Sequence, residues 1–165
     1  QERFSAICSE LIQLIEPMFK DMESIRLHGD CHFANLIHRP DESFFLIDFD
    51  DMVNGPPVQD VWMLFPSYRR ESLPEIELFL EGYETFRSFD RRSLRLIEPL
   101  RAMRYIHYAA WCARQSFDHG FITHNPDWGK ELYWQEEIND LTEQLERIRQ
   151  EQTSVENNPM FLQPD

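Results

Sequence analysis

The sequence predicts a mainly α chain with one small β-hairpin element, an α+β class. Three observations predict it. Apolar residues recur at helical spacing over most of the 165 residues. Short alternating runs, bounded by turn residues, are confined to the region before residue 55. Hydrophobic residues make up 42% and aromatics 13%, enough for one domain with its own core.

Residues 3–20 place Phe4, Ile7, Leu11, Leu14, Ile15 and Met18 on one helical face, and Pro17 disturbs or ends the last turn. Residues 25–28 are short, alternating and strand-like. Residues 36–38 and 44–47 read as hairpin partners across the turn Arg39-Pro40-Asp41-Glu42. An acidic loop (Asp48, Asp50, Asp51) and a turn around Asn54-Gly55 follow. Pro56-Pro57 opens a helix carrying Val58, Val61, Trp62 and Phe65. Ser72 is placed to cap a helix with Ile76, Phe79, Leu80, Tyr83 and Phe86 inward. A long helix is expected over 93–117 with a kink at Pro99, then a loop over 118–130 and a last helix over 131–150. Residues 151–165, polar and with two prolines, are expected to be a disordered tail to a domain spanning 1–150. Trp62, Tyr105, Tyr108, Trp111 and Phe117 are expected in the core.

The net charge of −14 argues against nucleic acid and against an anionic membrane surface as partners. No apolar run approaches the length of a transmembrane helix. Cys8, Cys31 and Cys112 are odd in number and widely spaced, which fits a reducing cytoplasm rather than a disulfide framework or a zinc site. The opening Gln1-Glu2-Arg3 stands inside an expected helix without a signal-peptide layout, suggesting a start within a longer protein.

The chemistry is concentrated in residues 28–60. Asp30 sits on a loop directly after a strand, Asn35 follows where the next strand begins, and Asp48 ends the hairpin. A hairpin returns the chain to its starting end, so two carboxylates and an amide should gather at its mouth. Such oxygens are hard ligands suited to Mg²⁺, and a carboxylate without metal can orient and deprotonate a hydroxyl. His28 and His32 are four apart, but Gly29 and the preceding strand argue against a helix presenting both to zinc. His32 either faces a substrate hydroxyl or packs, and Cys31 is expected to be buried and inert.

The string HGDCHFAN resembles the catalytic loop of the aminoglycoside-phosphotransferase-like kinases, a relative of the protein-kinase H-R-D loop, and LIDFDD resembles their metal-binding loop. With IDFDDMVNGPPVQDVWML, EGYETFRSFD and RYIHYAAWCARQSFD, the likeness extends over about residues 25–135 and is to the stress-response Ser/Thr kinases of that family. The resemblance implies the C-terminal lobe of a protein kinase-like fold. It implies Asp30 as the catalytic base, Asn35 and Asp48 as ligands of the Mg²⁺ that bridges the ATP phosphates, His28 as a residue locking the loop, and Asp60 as a carboxylate bracing the loop backbone. ATP and either a protein Ser/Thr or a small alcohol would be the substrates. Asp50 stands where D-F-G has glycine. The five glycines form no G-x-G-x-x-G loop, and neither lysine, Lys20 nor Lys130, lies on a strand like the one bearing the ATP-pairing lysine. The N-terminal lobe is thus expected to be missing and the fragment inactive alone. A small-molecule kinase would need acidic and aromatic residues near Asp30, for which Glu81, Glu84, Trp111 and Asp118 are candidates. A partner-binding pseudokinase would have lost a ligand, yet Asp30, Asn35 and Asp48 are all present.

Overall fold

The computed structural model describes residues 2–157 of the chain. Six helices run in the order α1 (Glu2–Ile15), α2 (Val58–Val61), α3 (Leu73–Glu84), α4 (Ile97–Gln115), α5 (His119–His124) and α6 (Glu131–Asn157). Four short strands, β1 (Ile25–Leu27), β2 (Leu36–Arg39), β3 (Ser43–Leu46) and β4 (Val53–Gly55), lie between α1 and α2. The chain divides into two units, one made of α1, α4 from Glu98 onward, α5 and α6, the other spanning Lys20–Ile97.

In the helical unit, Cys8, Leu11 and Ile15 of α1 pack with Ala102 of α4 and Leu141, Leu145 and Ile148 of α6. Their spacings of three and four residues put each set on one helical stripe. Full burial of each Leu or Ile contributes about 1.5–3 kcal/mol, so this seam holds the unit together. Phe4, Ile7, Leu14 and Met18 line its edge. At Pro17 the helix gives way to a 3-10 turn, Glu16–Phe19. Glu98 is buried and is met by Gln144, whose Nε2 donates to its Oε2 at 2.7 Å and to its backbone oxygen at 3.2 Å. Arg101 Nε stands 3.4 Å from the same carboxylate, so the buried charge is compensated. The ion pair between Arg149 and Glu10 ties α6 to α1 at the surface.

The other unit is built on two nested antiparallel ribbons. β1 pairs with β4 in the register Ile25↔Gly55, Arg26↔Asn54, Leu27↔Val53. Inside that pair, β2 pairs with β3 from Leu36↔Leu46 to Arg39↔Ser43. Leu27, Val58, Val61, Trp62, Ile76, Leu80, Phe89 and Leu96 are among its buried apolar residues. Phe79, Tyr83 and Phe89 form a run of ring contacts 5.2–6.0 Å apart.

Several expectations need correction. Residues 53–55 form strand β4 rather than a turn, because β1 offers them a partner. The helix expected from residue 93 begins as an α-helix only at Ile97, so Pro99 falls in its first turn, where a proline interrupts no helical hydrogen bond, and a 3-10 stretch, Arg91–Leu96, precedes it. Ser72 precedes α3 but makes no side-chain cap, since its hydroxyl accepts from Ser67 N at 3.1 Å. Within the expected loop 118–130, α5 forms, capped by Asp118. The last helix continues to Asn157, and residues 158–165 of the expected tail lie outside the described residues. Trp62 is buried, but Tyr108 and Trp111 are half exposed and stack at 5.9 Å, while Phe117 is 93% exposed. Among the described residues no helix is long and apolar enough to cross a membrane.

Candidate active site

The nesting of the two ribbons fixes the site. A chain that leaves β1 at Leu27 and enters β2 at Leu36 must return from β3 at Leu46 to β4 at Val53. The loops 28–35 and 47–52 therefore face each other between the ribbons. Two contacts show how closely. Asn35 accepts through its backbone oxygen from Ile47 N at 3.0 Å, extending the β2–β3 ladder by one rung. At the other end, a Cβ added to Gly29 would stand 2.0 Å from the backbone oxygen of Asp51. Gly29 has φ +90, so glycine is required there both by conformation and by space.

Asp30 is held on a loop whose backbone is pinned from several sides. Its N–H donates to His28 Nδ1 at 3.3 Å. Its backbone oxygen accepts from His32 N at 3.1 Å and from Asn35 Nδ2 at 3.0 Å. Just before it, the Asp60 carboxylate accepts from two successive backbone donors, His28 N at 2.7 Å and Gly29 N at 2.9 Å. Two charge-assisted bonds from one carboxylate fix the plane of that turn. Asp60 itself is delivered by α2, which starts directly after β4 and Pro56-Pro57.

His28 is buried, and its ring spans the two loops. Nδ1 accepts from Asp30 N, so the neutral ring carries its proton on Nε2, which donates to Ile47 O at 2.8 Å. The ring also packs on Phe49 with centroids 4.8 Å apart. His28 thus couples the residue before Asp48 to the backbone of Asp30.

Asn35 is buried, and its amide nitrogen is spent on Asp30 O. That bond decides which end of the amide is which, leaving Oδ1 as the end able to meet a cation. Asp48 follows Ile47, the rung partner of Asn35, and takes the left-handed conformation at φ +64. For an aspartate this costs about 1–2 kcal/mol, and such residues gather where the chain must aim a side chain. Asp48 is exposed.

The structure therefore brings Asp30, Asn35, His28 and Asp60 into one bonded network and sets Asp48 beside it through the backbone. Among the described residues no group of three or more His, Cys, Asp or Glu is placed to hold a metal ion. An amide and a carboxylate are nonetheless a fitting donor set for Mg²⁺, which takes one or two protein oxygens and completes its octahedron with phosphates and water. The rings of His28 and His32 are both engaged, the first by Asp30 N and Ile47 O and the second by Ala34 N and the Asp30 carboxylate. Cys31 is buried, and burial together with the nearby Asp60 and Asp30 charges pushes its thiol up to about 11. Cys8, Cys31 and Cys112 are all free and buried.

His32 contacts Asp30, with Nε2 3.2 Å from Oδ2. Of the acidic residues considered for an amine site, Glu84 pairs with Arg91 at 3.0 Å, and Asp118 caps α5.

The family described as APH, phosphotransferase enzyme family, has a model that matches residues 2–97. Stress response kinase A of Escherichia coli strain K12 is 36% identical over 159 residues, covering 96% of this chain and 47% of that protein. Stress response kinase A of Salmonella choleraesuis is 39% identical over 141 residues, covering 86% of this chain and 42% of that protein. Serine/threonine protein kinase RdoA of Salmonella typhimurium is 39% identical over the same length. The chain spans about half the length of the curated relatives it matches.

Proposed function

This chain belongs to the phosphotransferase enzyme family, and from that premise we propose that the protein carrying it is a cytoplasmic, ATP- and Mg²⁺-dependent kinase that phosphorylates serine or threonine hydroxyls of a protein. The observation that supports it most is the pinning of the Asp30 loop. Asp60 holds the two amides before Asp30, and Asn35 holds its carbonyl. A base must be aimed to within a fraction of an ångström, and a loop with this many internal bonds is prepaid in entropy.

In this reading Asp30 orients the acceptor hydroxyl and takes its proton as the oxygen bonds to the terminal phosphorus of ATP and the bond from that phosphorus to the bridging oxygen breaks, releasing ADP. Asn35 through Oδ1 and Asp48 through its carboxylate would hold Mg²⁺, which when bound neutralises charge on the phosphate oxygens. His28 keeps the two loops in register, and Asp60 braces the turn before Asp30. The choice of a protein acceptor rests on the names of the relatives, stress response kinase A and Ser/Thr protein kinase RdoA. The chain alone lacks a glycine-rich phosphate loop and a strand lysine, so residues 1–165 in isolation should transfer phosphate negligibly.

The test uses the whole protein with γ-labelled ATP. Asp30→Asn should leave the fold intact and lower transfer by at least about 100-fold. Label should appear on serine or threonine of a protein. Undiminished transfer by Asp30→Asn would remove Asp30 as the base, and label found only on added small alcohols would remove the protein acceptor.

A further inference from the structure

We infer that His32 is a positioning residue for Asp30, holding the plane of its carboxylate through the close polar contact of Nε2 with Oδ2; the inference rests on the reading of Asp30 as the base. Two observations meet at this ring. Nδ1 of His32 accepts from Ala34 N at 3.2 Å, capping the 3-10 turn Phe33–Asn35. An acceptor nitrogen carries no proton, so the neutral ring has its proton on Nε2. That nitrogen is the one 3.2 Å from Asp30 Oδ2.

The cap thus selects the tautomer that can donate to the carboxylate. His32 N also donates to Asp30 O at 3.1 Å, so backbone and side chain of one residue grip both the carbonyl and the carboxylate of the other. Asp30 N is bound by His28 and its carbonyl also by Asn35. His32 adds the hold on the side chain that the backbone bonds cannot supply. The His32 side chain is 32% exposed and that of Asp30 20%, so the pair stands at the surface of the loop, where an acceptor hydroxyl can arrive, and not in the core. A carboxylate that must meet a hydroxyl along one lone-pair direction loses rate when its plane rotates, even with its position unchanged.

Two variants of the whole protein separate this role from a merely structural one. His32→Ser keeps a side-chain acceptor for Ala34 N but cannot reach Asp30. It should melt at the wild-type temperature and keep KM for ATP within about twofold, while kcat falls roughly 10- to 100-fold. His32→Gln carries an amide donor of similar reach and should recover kcat to within about tenfold of wild type. Nitrogen NMR of the His32 ring should show the proton on Nε2, with the signal moving in Asp30→Asn. A wild-type kcat in His32→Ser, a His32→Gln as slow as His32→Ser, or a proton on Nδ1 would each overturn the proposal. If Asp30→Asn itself transfers phosphate normally, the underlying reading has failed. If Asp30→Asn is inactive and His32→Ser is normal, only the role of His32 has failed.

Discussion

Replacing Asp60 with alanine takes one acceptor away from two backbone donors at once. His28 N and Gly29 N stand 2.7 and 2.9 Å from its two carboxylate oxygens. A hydrogen bond to a charged acceptor is worth about 1.5–3 kcal/mol, and an orphaned buried donor costs about 1–3 kcal/mol. His28 is buried, whereas Gly29 and Asp60 are only partly so, and water can reach part of the gap. The loss should therefore be about 2–5 kcal/mol, a large share of a typical domain's stability. Asp60→Asn keeps the shape and one acceptor but turns its amide nitrogen toward the other donor, so it should cost about half as much. Urea unfolding of the whole protein measures the energy, and hydrogen exchange at the His28 and Gly29 amides locates it. Phosphotransfer should fall by at least about tenfold, since these amides immediately precede Asp30. A change below about 1 kcal/mol, with both amides still protected, would refute the claim that Asp60 braces the loop.

Two further outcomes follow from the same geometry. Gly29→Ala places a Cβ 2.0 Å from Asp51 O at a backbone φ of +90, so the two loops must separate; a loss of at least about 2 kcal/mol is expected in thermal unfolding, and an unchanged melting temperature would contradict the close approach. Cys31, with its thiol pushed up to about 11 from 9.0, should react slowly with disulfide reagents at neutral pH. Because the folded thiol holds its proton more tightly than the unfolded one, its contribution is complete below about pH 9 and is lost as pH rises toward 11. Unfolding free energy that does not fall more steeply there in wild type than in Cys31→Ala would contradict that assignment.

The sequence exposed some levels of this structure and hid others. Helix α1 was legible because Leu11 and Ile15 recur at the helical period and Pro17 marks where it stops. The β2–β3 ribbon was legible from its alternation and its Pro-Asp turn. Strand β4 was not, because Asn54-Gly55 carries turn chemistry and only pairing with β1 overrides it. Helix α5 left a signal, Asp118 three residues before Phe121, that Gly120 obscured. The candidate site residues stand out by spacing, which encodes loop lengths. Their bonds could not, since which end of Asn35 meets Asp30, or which nitrogen of His32 does, depends on torsions that no spacing specifies.

A crystal structure of the whole protein with Mg²⁺ and a non-hydrolysable ATP analogue would test the site most directly. Asn35 Oδ1 and a carboxylate oxygen of Asp48 should both lie about 2.0–2.1 Å from bound Mg²⁺, with Asn35 Nδ2 still donating to Asp30 O. A metal ion held by other side chains, with Asn35 and Asp48 turned away from the phosphates, would contradict the phosphotransfer site described for this chain.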